Sequence, residues 1–112
     1  MLENVKLAIR GKALIGSKCF LNGTSIVCAQ SVSSGDGALL SDAYITDTDF
    51  HNIESELRRA PLGPRTTRPI KIGRNVWIGD HRTVLKGATL AMTASLAAIA
   101  SFVAMYLTGL YV

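Results

Sequence analysis

Aliphatic side chains recur along the first half of this chain every six residues: Ile9, Ile15, Leu21, Val27, Leu39 and Ile45 share one count, with Ser33 in the missing step. A period of six matches neither the 3.6 residues of a helical turn nor the two-residue alternation of a strand. Four places after each member stands a small residue, in turn Ala13, Cys19, Ser25, Ser31, Gly37 and Ala43. This pattern predicts a triangular parallel β-helix, in which each side points one branched aliphatic inward and fits one small residue into a tight corner. The count resumes at Ile72, Ile78, Val84 and Leu90, with Ile72-Gly73 and Ile78-Gly79 one hexapeptide apart. Within 33–45 two registers stay open. Ser34-Gly35-Asp36 has the composition of a turn, and if one coil is a residue long the inward position is Leu40 in place of Leu39.

Between the two blocks, Asn52 to Pro69 breaks the period and carries Pro61, Pro64 and Pro69 with Arg58, Arg59, Arg65 and Arg68. It reads as a loop extruded from one corner at about 52–69, with a helical turn over Glu54–Arg59. A loop of this length in a compact repeat domain points to function. Arg82 stands where a small or apolar residue should point inward, and an unpaired buried guanidinium costs several kcal/mol, of the order found for other unpaired buried charges. Either the coil is distorted there, or it is the last one and Arg82 reaches solvent. From Gly87 to Val112 the chain has no charged residue. A helix packed on the solenoid end or on a partner, a membrane helix, and continued coils all remain open for it. Its Ala, Met and Leu content favours a helix over about 91–107, so the domain reading is an all-β coil over 1–90 and an apolar, helical tail over 91–112. As a membrane contact, 87–112 would have its N-terminal side in the cytoplasm, next to Arg74, Arg82 and Lys86. With no signal peptide ahead of Cys19 and Cys28, a reducing compartment is the default, so the localisation expected is cytoplasmic, and membrane association through 87–112 stays one of the open alternatives.

Composition adds a chemical asymmetry. The chain has 112 residues, enough for one domain, and a net charge of +4 with few aromatics, which does not suggest a nucleic-acid partner. The charge is unevenly placed: Asp36 to Glu56 contains six acids and no Lys or Arg, whereas Arg58 to Lys86 contains eight basic residues and the single acid Asp80. Such a run is either a local anion site or a solvated basic loop. Cys19 and Cys28 lie in β-patterned segments and read as buried structural thiols. No His, Cys, Asp or Glu cluster has metal-ligand spacing, so no metal is expected.

His51 stands at the end of an extended segment, directly before the extruded loop. A histidine at the edge of a rigid scaffold can deprotonate a hydroxyl or amine. Alternation along a strand would put Asp47 and Asp49 on its face, where one could orient the imidazole or receive a substrate hydroxyl. A surface histidine after a turn has the same spacing.

Three stretches carry a family resemblance. Ile45 to Ile53, ITDTDFHNI, resembles the segment bearing the catalytic histidine in hexapeptide-repeat acyltransferases, the family of maltose, galactoside and polysaccharide O-acetyltransferases. Arg68 to Leu90, RPIKIGRNVWIGDHRTVLKGATL, resembles the segment that follows the extruded loop in that family, and Ile15 to Val27, IGSKCFLNGTSIV, fits one of its coils. The resemblance implies a left-handed parallel β-helix that forms a homotrimer with sites between subunits. It also implies acetyl transfer from acetyl coenzyme A, a co-substrate, to a hydroxyl of a sugar or glycan. By matching motif, His51 would be the general base. Asp47, Asp49, Asn75 and Trp77 would contact substrate, Trp77 offering its indole as a stacking face. Arg65, Arg68, Lys71 and Arg74 would meet the phosphates of the donor. The resemblance fades after Leu90, where family members run further coils, which leads to the expectation of a shortened or altered donor half. A non-catalytic β-helix remnant and a small membrane-attached protein are the competing readings.

Overall fold

The structure, a computed structural model, describes residues 2–79 and 81–96. Thirteen short strands wind in one direction around a single core. They are β1 (Leu2–Glu3), β2 (Lys6–Ile9), β3 (Lys12–Ile15), β4 (Phe20–Asn22), β5 (Ser25–Cys28), β6 (Ser31–Ser34), β7 (Leu39–Ser41), β8 (Tyr44–Thr46), β9 (Ile70–Ile72), β10 (Trp77–Ile78), β11 (Thr83–Val84), β12 (Thr89–Leu90) and β13 (Ser95–Leu96). Every third strand stacks on its predecessor. One parallel sheet has the order β1-β4-β7-β10-β13, a second β2-β5-β8-β11 and a third β3-β6-β9-β12. We refer to these as faces A, B and C. The architecture is an all-β solenoid that fits a left-handed β-helix, as the repeat pattern and the resemblance together predict.

The inward column on face A is Leu21, Leu40 and Ile78, on face B Ile26, Ile45 and Val84, and on face C Val32, Ile70, Ile72 and Leu90, all buried. Two places before half of these sits a small residue at a corner: Cys19, Thr24, Ala38, Ala43 and Ala88 are all buried. The six-residue count therefore holds over Ile72, Ile78, Val84 and Leu90 but slips earlier. Leu39 is 41% exposed and Leu40 fully enclosed; Ile26 and Val32 take the places that the count assigned to Val27 and Ser33. Ile9 and Ile15 stay substantially exposed. The cause is coil length. Leu2 pairs with Leu21 and Leu21 with Leu40, a repeat of nineteen, whereas Trp77 pairs with Ser95, a repeat of eighteen.

Corners are turned by residues with positive φ, stacked coil upon coil. Between faces C and A these are Lys18, Gly37, Asn75 and Thr93, and between faces A and B they are Asn4, Gly23, Asp42 and His81. Glycine is sterically required where backbone approaches backbone. A Cβ on Gly73 would lie 2.6 Å from the amide nitrogen of Met92.

Arg82 neither ends the solenoid nor breaks it. Its carbonyl accepts the Tyr44 N–H at 2.8 Å, the side chain is half-buried, and β12 and β13 follow in register. The expected tail is corrected at its start: residues 91–96 form a turn and then β13 on face A, so the coil continues to Leu96 where a helix from Ala91 was expected. The helix, membrane and domain expectations for the rest of the tail fall on 97–112, outside the described residues. Among the described residues, no helix is long and apolar enough to cross a membrane.

Candidate functional site

The extruded segment leaves the solenoid between β8 on face B and β9 on face C. Its two stems pair antiparallel as a neck: Thr48 bridges Thr67, Arg68 N–H donates to the Asp47 carbonyl at 3.1 Å, and Asp49 N–H donates to the Thr66 carbonyl at 2.8 Å. Beyond the neck, Phe50 adopts a left-handed φ of 68° and its N–H donates to Thr48 Oγ1 at 3.0 Å. That reversal ends the extended run and delivers His51 to the surface, exposed. The segment then closes on itself through the side chain of Asn52. Its Nδ2 donates to the carbonyls of Leu57 at 2.8 Å and Pro61 at 3.1 Å, and its Oδ1 accepts the Gly63 N–H at 3.0 Å. Single 3-10 turns at Ser55–Leu57 and Pro64–Thr66 complete it, the first within the stretch where a helical turn is expected.

Asp47 departs from the expected shared face with His51. Alternation from Ile45 takes its side chain inward, where it is fully buried. Its Oδ1 accepts the N–H of Ala29 and its Oδ2 those of Gln30 and Ser31, each at 2.7 Å. The carboxylate thus satisfies three backbone donors at the corner below, where the long coil leaves them without ladder partners. Cys28 lies against it, Sγ to Oδ2 at 3.8 Å. Burial first, and the adjoining carboxylate second, push the Cys28 thiol above its ordinary range, which keeps it an inert core group.

Asp49 is engaged by the following coil. It forms an ion pair with Lys86, whose Nζ in addition donates to the Arg65 carbonyl at 2.7 Å. Lys86, in the sequence no more than the last member of the basic run, ties together the two stems of the extruded segment from the next coil. Between the segment and the coil lies a cleft of about 640 Å³ whose walls include Asp49, Asn52, Glu54, Arg65, Arg68 and Lys86. His51 sits between two of the wall residues in sequence but is not itself part of the wall. Of the four cations expected at phosphates, Arg65 and Arg68 meet in this cleft. Lys71 is exposed on face C, and Arg74 donates to Met92 Sδ at 3.3 Å on the corner between faces C and A.

Asn75 is a corner residue with φ 52°, its N–H donating to the Asp36 carbonyl at 2.9 Å. Trp77 is 42% exposed on the outside of face A, in a row with Leu39 and Phe20. Face A is opposite the corner from which the extruded segment leaves, so one chain does not bring Trp77 or Asn75 to His51. Among the described residues, no three His, Cys, Asp or Glu side chains gather as metal ligands would. Asn52 and Lys86 had no signal in the pattern of apolar positions, because an amide clasp and a cross-coil lysine are visible only once the segment is folded back.

No family model and no solved structure matches the chain. Nodulation protein L of Rhizobium meliloti (strain 1021) is 33% identical over 76 residues, which make up 67% of this chain and 40% of that protein. The galactoside O-acetyltransferase of Escherichia coli (strain K12) is 34% identical over 77 residues, 68% of this chain and 37% of the enzyme. Nodulation protein L of Rhizobium leguminosarum bv. viciae is 33% identical over 76 residues. The chain thus spans about two fifths of the length of the curated relatives it matches. Sequence similarity and a coil built on hexapeptide repeats agree, and together they make this chain a relative of the hexapeptide-repeat acyltransferases.

Proposed function

We propose that the protein transfers an acetyl group from acetyl coenzyme A to a hydroxyl of a sugar or glycan, with His51 as general base. The observation that carries this reading is the placement of His51, exposed just past a rigid neck and flanked in sequence by residues that wall a cleft, on a coil similar in sequence to a galactoside O-acetyltransferase. In the reaction, a neutral ring nitrogen of His51 takes the proton of the acceptor hydroxyl as its oxygen attacks the thioester carbonyl. The C–O bond forms, the C–S bond breaks, and the proton passes to the departing thiolate. A homotrimer suits this chemistry, because a neighbouring copy could set its Trp77 against the His51 of the first. The outward apolar row of half-buried Phe20 with exposed Leu39 and Trp77 on face A supports such packing. Of the four cations expected at phosphates, Arg65 and Arg68 line the cleft, while Lys71 and Arg74 would act only from another face.

The test is acetyl transfer measured with acetyl coenzyme A and a panel of saccharides. His51→Ala is expected to lower kcat by about 10²–10⁴-fold with the circular dichroism spectrum unchanged. Unchanged turnover in that variant removes His51 from the mechanism. Wild-type protein without turnover on any saccharide turns the conclusion to a non-catalytic solenoid module.

A further inference from the structure

We infer that the cleft beneath the extruded segment binds an anionic group of the acceptor, so that the saccharide acetylated is an acidic one, bearing a carboxylate or a phosphate. This deepens the reading of the protein as a saccharide acetyltransferase and rests on it. Eight basic residues between Arg58 and Lys86 could have been dispersed over a solvated surface. The fold instead draws Arg65, Arg68 and Lys86 to one cleft. Lys86 is already committed to Asp49 and to the Arg65 carbonyl. Arg65 and Arg68 are exposed, and neither guanidinium has an acidic partner among the described residues. Two planar forks facing one cavity are suited to a carboxylate or phosphate, which each can bind through paired N–H donors. The remaining acid of the wall, Glu54, leaves the cleft cationic once Asp49 and Lys86 are paired.

Position decides between acceptor and donor. Asp49 and Asn52, both in the wall, are two and one residues from His51 in sequence, so the cleft adjoins the stretch of chain that carries the base. The hydroxyl to be acetylated must reach that base, and a charged substituent on the same or the adjoining sugar ring falls within the same reach. The diphosphate of coenzyme A is separated from its thioester by the full pantetheine arm and would lie well beyond it. The cations of a cleft that adjoins the base's own segment are therefore assigned to the acceptor.

The experiment is calorimetric titration of the 112-residue chain with a galacturonate trimer, a neutral galactose trimer and galactose 6-phosphate, followed by the same titrations of Arg65→Gln/Arg68→Gln. A preference of roughly tenfold or more for a charged saccharide over the neutral trimer is expected. The two charged probes tell which anion the site takes. The preference should shrink as salt is raised and vanish in the double variant, while Lys12→Gln, on the first coil, keeps it. Equal affinity for charged and neutral sugars, or no binding of any of them, overturns the inference, and both are read on wild-type protein whatever the variants do. A double variant that keeps the saccharide preference assigns that preference to other groups and overturns the inference as well. Because these are binding measurements without acyl donor, absent acetyl transfer would count against the proposed activity alone.

Discussion

Three backbone N–H groups converge on the Asp47 carboxylate, and a neutral amide at that position could accept only part of them while presenting its own donors to the rest. Asp47→Asn is therefore expected to destabilise the fold by about 3 kcal/mol, the range for buried hydrogen bonds to a charged group, seen as a lower urea midpoint with the slope unchanged. Cys28 beside it sets a pH dependence. Its thiol is held above the ordinary value by burial and by the Asp47 charge, so in alkaline solution the folded protein retains a proton that the unfolded chain releases. The stabilisation is complete below the ordinary thiol value of 9.0 and is lost as pH rises through and beyond it. Cys28→Ala should flatten the fall in melting temperature between neutral and alkaline pH relative to wild type. Composition alone suggested a buried structural thiol at Cys28; the carboxylate against it needed the folded coil.

The extruded segment is an element with its own closure. Its neck is held by backbone pairing, its interior by the Asn52 amide, and its stems by Lys86 reaching up from the following coil. Truncating the amide leaves the carbonyls of Leu57 and Pro61 and the Gly63 N–H without that partner. Asn52→Ala is expected to open the segment locally by about 2 kcal/mol, which a several-fold faster tryptic cleavage after Arg58 or Arg59 would report, with little change in the global melting temperature. That the loop exists was readable from its prolines and its broken period. Its shape was not, because hydrogen bonds from one side chain to carbonyls five and nine residues away depend on a fold-back that local propensity does not encode.

At the scale of the molecule, stability comes from stacking, and the coil beyond the loop depends on close backbone contact. Gly73 packs under Met92, where a Cβ would come to 2.6 Å from a backbone nitrogen. The Leu90 carbonyl oxygen would lie at 2.9 Å as well, so Gly73→Ala should cost about 1–3 kcal/mol, read as a lower melting temperature than wild type; an unchanged melt would contradict this packing. The first coil contrasts with the buried interior: Leu2 and Leu7 occupy inward positions yet are 60% and 57% exposed, since no coil stacks above them among the described residues.

What could be read without coordinates was the repeat, and the reason is physical. An inward aliphatic and a small corner residue are demanded on every side of the coil, so the periodicity of Ile72, Ile78, Val84 and Leu90 and the place where it breaks are written along the chain. The histidine at the break was legible for the same reason. Register over 9–45 was not, because one extra residue per coil is accommodated at a corner whose N–H groups are satisfied by Asp47 from the coil above. The gathering of Arg65, Arg68 and Lys86, and the separation of Trp77 from His51, were likewise settled only by folding. Residues on different sides of a triangular coil lie close in sequence and far apart in space, and residues one coil apart the reverse.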